Sequence, residues 1–109
     1  MLDTLFGSRG AENVLLYLQC YETGHAGAIA RTFSTGASQV QKQLVKFEAG
    51  GLLVSRMTGT ARVFGWNPRC PVLKEVRTLL QAALDLKSDD ELQRHFRERR
   101  RPRRSGKPS

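Results

Sequence analysis

A chain of 109 residues, 39 % apolar and 26 % charged, has room for one packed core and too little length for two ordinary domains. No run approaches the roughly 20 apolar residues that span a bilayer. The opening MLDTLFGSRG also lacks the basic-then-apolar layout of a secretory leader, so a cytoplasmic protein with no membrane partner is expected. The net charge of +8 is concentrated in two places. Residues 94–109 hold eight basic side chains against Glu98, and residues 31–69 hold Arg31, Lys42, Lys46, Arg56, Arg62 and Arg69 against Glu48. Such placement points to a polyanionic partner.

Leu2, Leu5 and Phe6 suggest a short lead-in helix. Ala11, Val14, Leu15, Leu18 and Tyr21 then recur at helical spacing, with Ser8 as the expected N-cap and Gly24 as the expected left-handed stop. Leu16 and Tyr17 fall off that face and leave apolar surface over. A short helix over 25–33 carries Ala26, Ile29, Ala30 and Phe33, and breaks at Ser34-Thr35-Gly36. A third helix over 37–49, with Ser34 and Thr35 as cap candidates, has Val40, Leu44 and Phe47 inside and ends at Gly50-Gly51. The period then changes to two. Residues 53–57 and 61–66 read as a hairpin around Thr58-Gly59-Thr60, closed by Asn67-Pro68. Pro71 suits the first turn of a helix over 71–86, where Val72, Leu73, Val76, Leu79, Leu80, Ala83 and Leu84 cover a broad face. Ser88 and Glu91 form a capping-box pattern for an accessory helix over 88–99, and the composition of 100–109 predicts a disordered basic tail.

The order of short helix, tight turn, helix and two-stranded hairpin is a winged helix-turn-helix layout, mainly α with a small β-hairpin. At about 100° per residue, the side of the third helix opposite its apolar stripe carries Ser38, Gln39, Lys42, Val45 and Lys46, with Gln41 at its margin. That face has no acid before Glu48. Amides and hydroxyls suit base edges, and the lysines suit phosphates. In the hairpin, Phe64 and Trp66 are expected to pack on the core. Arg62 and Arg56 would reach past it to backbone or minor groove. Ordinary solvation of a polar helix face and of a hairpin edge is the alternative for each.

Through LFGSRGAENVLLYL, AIARTF, SQVQKQLVKFEAGGLLVSR, GTARVFGWNPRCP and LKEVRTLL, about residues 5–86, the chain resembles the ArsR-type winged helix-turn-helix transcriptional regulators. It is most similar to a compact branch that opens with phenylalanine-glycine-serine and closes its wing with asparagine-proline-arginine. The resemblance implies a homodimer joined through the first and last helices, with the recognition helix in the major groove and the wing along the backbone. It makes Ser38, Gln39, Gln41, Lys42, Lys46, Arg56, Thr58, Thr60 and Arg62 the expected DNA-binding positions. The metal sensors of that family carry ligands that this sequence lacks.

The expectation is therefore a homodimeric, sequence-specific binder of double-stranded DNA acting as a repressor. Residues 1–87 would form the DNA-binding domain, and the helix over 71–86 would provide the dimer contact. The surplus apolar surface of that helix, with Leu16 and Tyr17, agrees with a dimer, the alternative being a larger monomer core completed by the 88–99 helix. A winged-helix module that docks a protein, with its tail on RNA, is the alternative. Chemistry is not expected: His25 and His95 lie on separate elements, and no carboxylate pair, nucleophile elbow or phosphate-cradling loop occurs. Cys20 and Cys70 read as small reduced residues, and no cofactor or metal is expected.

Overall fold

Helix α1 (Leu2–Phe6) passes into α2 (Arg9–Tyr21) through Gly7, whose φ of +103° favours glycine. The computed structural model describes residues 2–87 and 89–96, so Ser88, the end of the expected accessory helix and the basic tail lie outside it. Ser8 caps α2 as its sequence position predicts. Its Oγ accepts from the Ala11 N–H at 3.0 Å, a bond worth about 1 kcal/mol. The end of α2 differs from expectation: Glu22, not Gly24, ends the helix with a positive φ of +72°. Thr23–Gly24 instead form a two-residue strand, β1. Glycine is required at 24 because a Cβ there would lie 2.7 Å from the Tyr17 ring.

His25 caps α3 (Ala26–Phe33), its Nδ1 accepting from the Ala28 N–H at 3.3 Å. Ser34, in the left-handed region at φ +55°, turns the chain toward α4 (Ala37–Ala49). The N-cap of α4 is Gly36, without a side-chain bond, where Ser34 or Thr35 was expected: Ser34 is already committed to ending α3. Gly51 (φ +90°) leads into β2 (Leu53–Thr58), which returns as β3 (Ala61–Trp66). Gly59, at φ +64°, occupies the first central position of that two-residue turn, the place a type II′ turn reserves for glycine. Helices α5 (Leu73–Asp85) and α6 (Asp89–Phe96) follow.

The sheet is antiparallel with order β1-β3-β2, so the predicted hairpin gains a third strand and β3 becomes central. The fold is a mainly helical winged helix with this small sheet as its wing. One core cluster, with Val14, Leu18, Ile29, Leu44, Leu53 and Phe64, joins α2, α3 and α4 to the sheet. A second, with Leu2, Leu15, Leu16, Leu80 and Leu84, joins α1, α2 and α5. Leu16, expected to be spare, is only 1 % exposed, so it offers no surface to a partner. Arg77 braces α5 against the end of α2. Its guanidinium donates to Glu22 at 2.7 Å and to Gln19 at 2.9 Å, and lies over the Trp66 ring at 5.4 Å.

Candidate nucleic-acid interface

Helix α4 shows how the sequence separates an inner from an outer side. Val40 and Leu44 are buried and Phe47 half-buried, while Ser38, Gln39, Lys42, Val45 and Lys46 are exposed and Gln41 is half-buried at the margin. All the polar positions expected on the outer side therefore lie along one surface of one helix.

The two flanks of that surface have different neighbours. Gln39, Gln43 and Lys46, at helical spacing, border the α1–α2 junction. Gln39 and Gln43 line a cleft of about 450 Å³ with Ser8, Arg9, Asn13 and Thr35. The Lys46 Nζ donates to the Phe6 carbonyl at 3.5 Å and lies 5.0 Å from the Phe47 ring centre. Its charge is thus drawn toward the lead-in helix, away from the middle of the outer side. Gln43 Oε1 is buried without a hydrogen-bond partner among the described residues. On the other flank Gln41, Val45 and Glu48 run toward the wing.

Register decides which wing residues share a face. Leu53 pairs with Trp66, Ser55 with Phe64 and Met57 with Arg62. Val54 pairs with Gly65, Arg56 with Val63 and Thr58 with Ala61, on the opposite face. The two arginines expected to act together are at similar heights but on opposite faces. Arg56 is exposed and lines a second cleft of about 450 Å³ with Val54, Val63, Trp66, Leu73 and Arg77. Arg62 does not extend past the core. It lies over Phe64, 5.0 Å from the ring centre, and is bound to Glu48 and Ser55. Thr58 and Thr60 flank Gly59 at the exposed turn, beside Met57, which is 62 % exposed. Lys42 and Arg56 have no hydrogen-bond or ion-pair partner among the described residues, which leaves both cations open to solvent.

The sequence reading missed Ser55 and the use made of Glu48. Period-two alternation back from Arg62 and Phe64 across the Gly59 turn would have placed Ser55 on their face. No sequence signal aims the Glu48 carboxylate, because that depends on how the end of α4 packs on the sheet. No group of three or more metal-ligating side chains occurs among the described residues, and none of their helices is long and apolar enough to cross a membrane.

A scan against protein-family models and a search among curated proteins find no match. Among solved structures, the chain is similar to a double mutant of Lactococcus lactis ZitR in apo form. The TM-score is 0.53 at 19 % identity, over 78 % of this chain and 73 % of that one. A second structure of that mutant gives a TM-score of 0.50 at 19 % identity, over 76 % of this chain and 64 % of the other. At this identity the likeness is one of fold: it shows the winged helix and does not single out the ArsR type among winged-helix families.

Proposed function

We propose that the chain is a homodimeric transcriptional regulator of the ArsR type that binds double-stranded DNA sequence-specifically and represses by occupying its operator in the cytoplasm. One observation carries the reading: the outer side of α4 presents hydroxyl, amide and ammonium groups with no acid before Glu48, beside a wing. A helix of this width fits the major groove, where Gln39 and Gln41 can address adenine edges and Ser38 either base. Lys42 and, at the edge, Lys46 meet phosphates, while Arg56, Thr58 and Thr60 contact the backbone beside the wing turn. Arg62 belongs to this set as a reserve cation.

An apolar stripe along α5 and its two caps supports the dimer reading. Val72, Val76, Leu79, Ala83 and Leu86 follow one another at alternating spacings of four and three, the pattern that keeps one stripe facing a partner helix. Val72, Leu79 and Leu86 are 53, 39 and 74 % exposed, although the rest of the α5 apolar face is packed. Covering that stripe with a second copy would set two recognition helices about one helical turn of DNA apart.

Fluorescence anisotropy with random and genome-selected duplexes tests the reading. Lys42→Ala is expected to weaken both equally and to reduce the salt slope by about one. Gln39→Ala is expected to cost about 1–3 kcal/mol on the selected duplex alone. Parent protein that ignores duplex DNA at low salt would instead favour a protein-docking module.

A further inference from the structure

Glu48 is the lone acid between residues 31 and 69, and both of its carboxylate oxygens are occupied. Oε1 accepts from Arg62 Nη2 at 2.6 Å, and Oε2 accepts from Ser55 Oγ at 2.8 Å. Ser55 Oγ in turn accepts from Arg62 Nε at 3.1 Å, which closes a ring between the last turn of α4 and both long strands. The guanidinium also lies over Phe64, a fully buried residue, 5.0 Å from the ring centre. The ion pair is not hidden, with the two side chains 42 % and 27 % exposed. It sits on the Gln41–Val45 flank, where a polyanion lying along α4 would pass.

We propose that Glu48 is a built-in competitor for phosphate, which withholds the charge of Arg62 from DNA and so restrains sequence-independent binding. The inference rests on the DNA-binding reading and extends it. Sequence-independent affinity grows with the number of cations that displace counterions from the backbone. A guanidinium in contact with a carboxylate presents no net charge to an approaching phosphate, and the carboxylate repels that phosphate directly. The contribution of Arg62 is therefore cancelled in the parent, while the polar groups of the α4 outer side are untouched. Glu48 sets how much of the wing charge DNA meets.

Charge arithmetic makes the test a closed cycle. The full chain is titrated with a short random-sequence duplex across a salt series as parent, Glu48→Gln, Arg62→Gln and the double variant. Far-UV circular dichroism and Trp66 melting verify the fold. Glu48→Gln leaves one uncompensated cation, so its slope should steepen by about 0.9. It should lose about threefold more affinity than the parent between roughly 50 and 200 mM salt. Arg62→Gln leaves one uncompensated anion and should bind more weakly than the parent. The double variant is neutral there and should return to the parent slope. Ser55→Ala keeps both charges and should leave the slope where it was. If Arg62 already contacted phosphate, Glu48→Gln would not change the slope and the double variant would fall below the parent, overturning the proposal. A folded Glu48→Gln protein that binds random duplex less tightly would overturn it too, showing that the ring only braces the wing. Parent protein that binds no duplex removes the DNA reading and this inference together, whereas parent binding with an unchanged Glu48→Gln slope removes this inference alone.

Discussion

Phe64→Ala is expected to remove about 3–5 kcal/mol of folding stability. Phe64 lies on the central strand β3 with no exposed surface, in the cluster that holds Val14, Leu18, Ile29 and Leu44. Truncation deletes the ring from a site with walls on two layers, α-helical and sheet, that cannot both move inward, so a cavity term adds to the lost transfer energy. Domains of this size are stable by roughly 5–15 kcal/mol in all, and the substitution takes a large part of that. At about 4–8 °C per kcal/mol, the midpoint should fall by on the order of 10–40 °C. Trp66, the single tryptophan, reports the transition, since its indole N–H donates to the Leu18 carbonyl at 3.2 Å and that bond is lost on unfolding. Val54→Ala, on the opposite face of β2 at 42 % exposure, is the control and should stay within about 0.5 kcal/mol of the parent. Equal effects at the two positions would show that the inner and outer faces of the wing are wrongly assigned.

Leu79→Glu should convert the proposed dimer to a monomer and weaken operator binding by on the order of 10²–10⁴-fold. Leu79 is 39 % exposed in the middle of the α5 stripe, with Val72 one heptad before it and Leu86 one heptad after. Two carboxylates facing each other across a dimer axis would lose hydration and repel. In the single chain the position is 39 % exposed, so the carboxylate keeps access to water and costs less than it would across a dimer axis. The size of the DNA effect comes from geometry: in a dimer, binding of one half-site presents the second recognition helix at high effective concentration, and a monomer loses that gain. Sedimentation velocity gives the mass and anisotropy gives the affinity. A variant that keeps the mass of the parent would move the dimer contact elsewhere. If the parent itself sediments as a monomer, the α5 stripe has no second copy to cover it.

The fold was legible from the sequence wherever a long periodic run or an obvious terminator carried the signal. Ser8 capped the helix it was expected to cap, Gly50-Gly51 ended α4, and the switch from helical to alternating period marked the wing. Strand β1 was missed because two residues have no period. Gly24 was read as a helix stop, although its reason for being glycine is the Tyr17 ring packed against it from the preceding helix. Leu16 looked spare on a helical projection because α2 packs on two sides, and the projection cannot show the arrival of α5. In the candidate interface, the outward side of α4 follows from periodicity alone. The set of Arg62 and Lys46 does not. Both are long side chains whose direction depends on acceptors supplied by distant segments, Glu48 in one case and the Phe6 carbonyl in the other.

Phe33, Phe47, Leu52 and Trp66 each pack against both apolar clusters. These four side chains make the boundary between α5 and α4 a shared wall. Neither half can loosen without stripping partners from the other. If two copies meet on α5 and α4 reads DNA, as proposed, strain at the first surface would reach the second through these four shared side chains, and assembly and recognition would be physically linked.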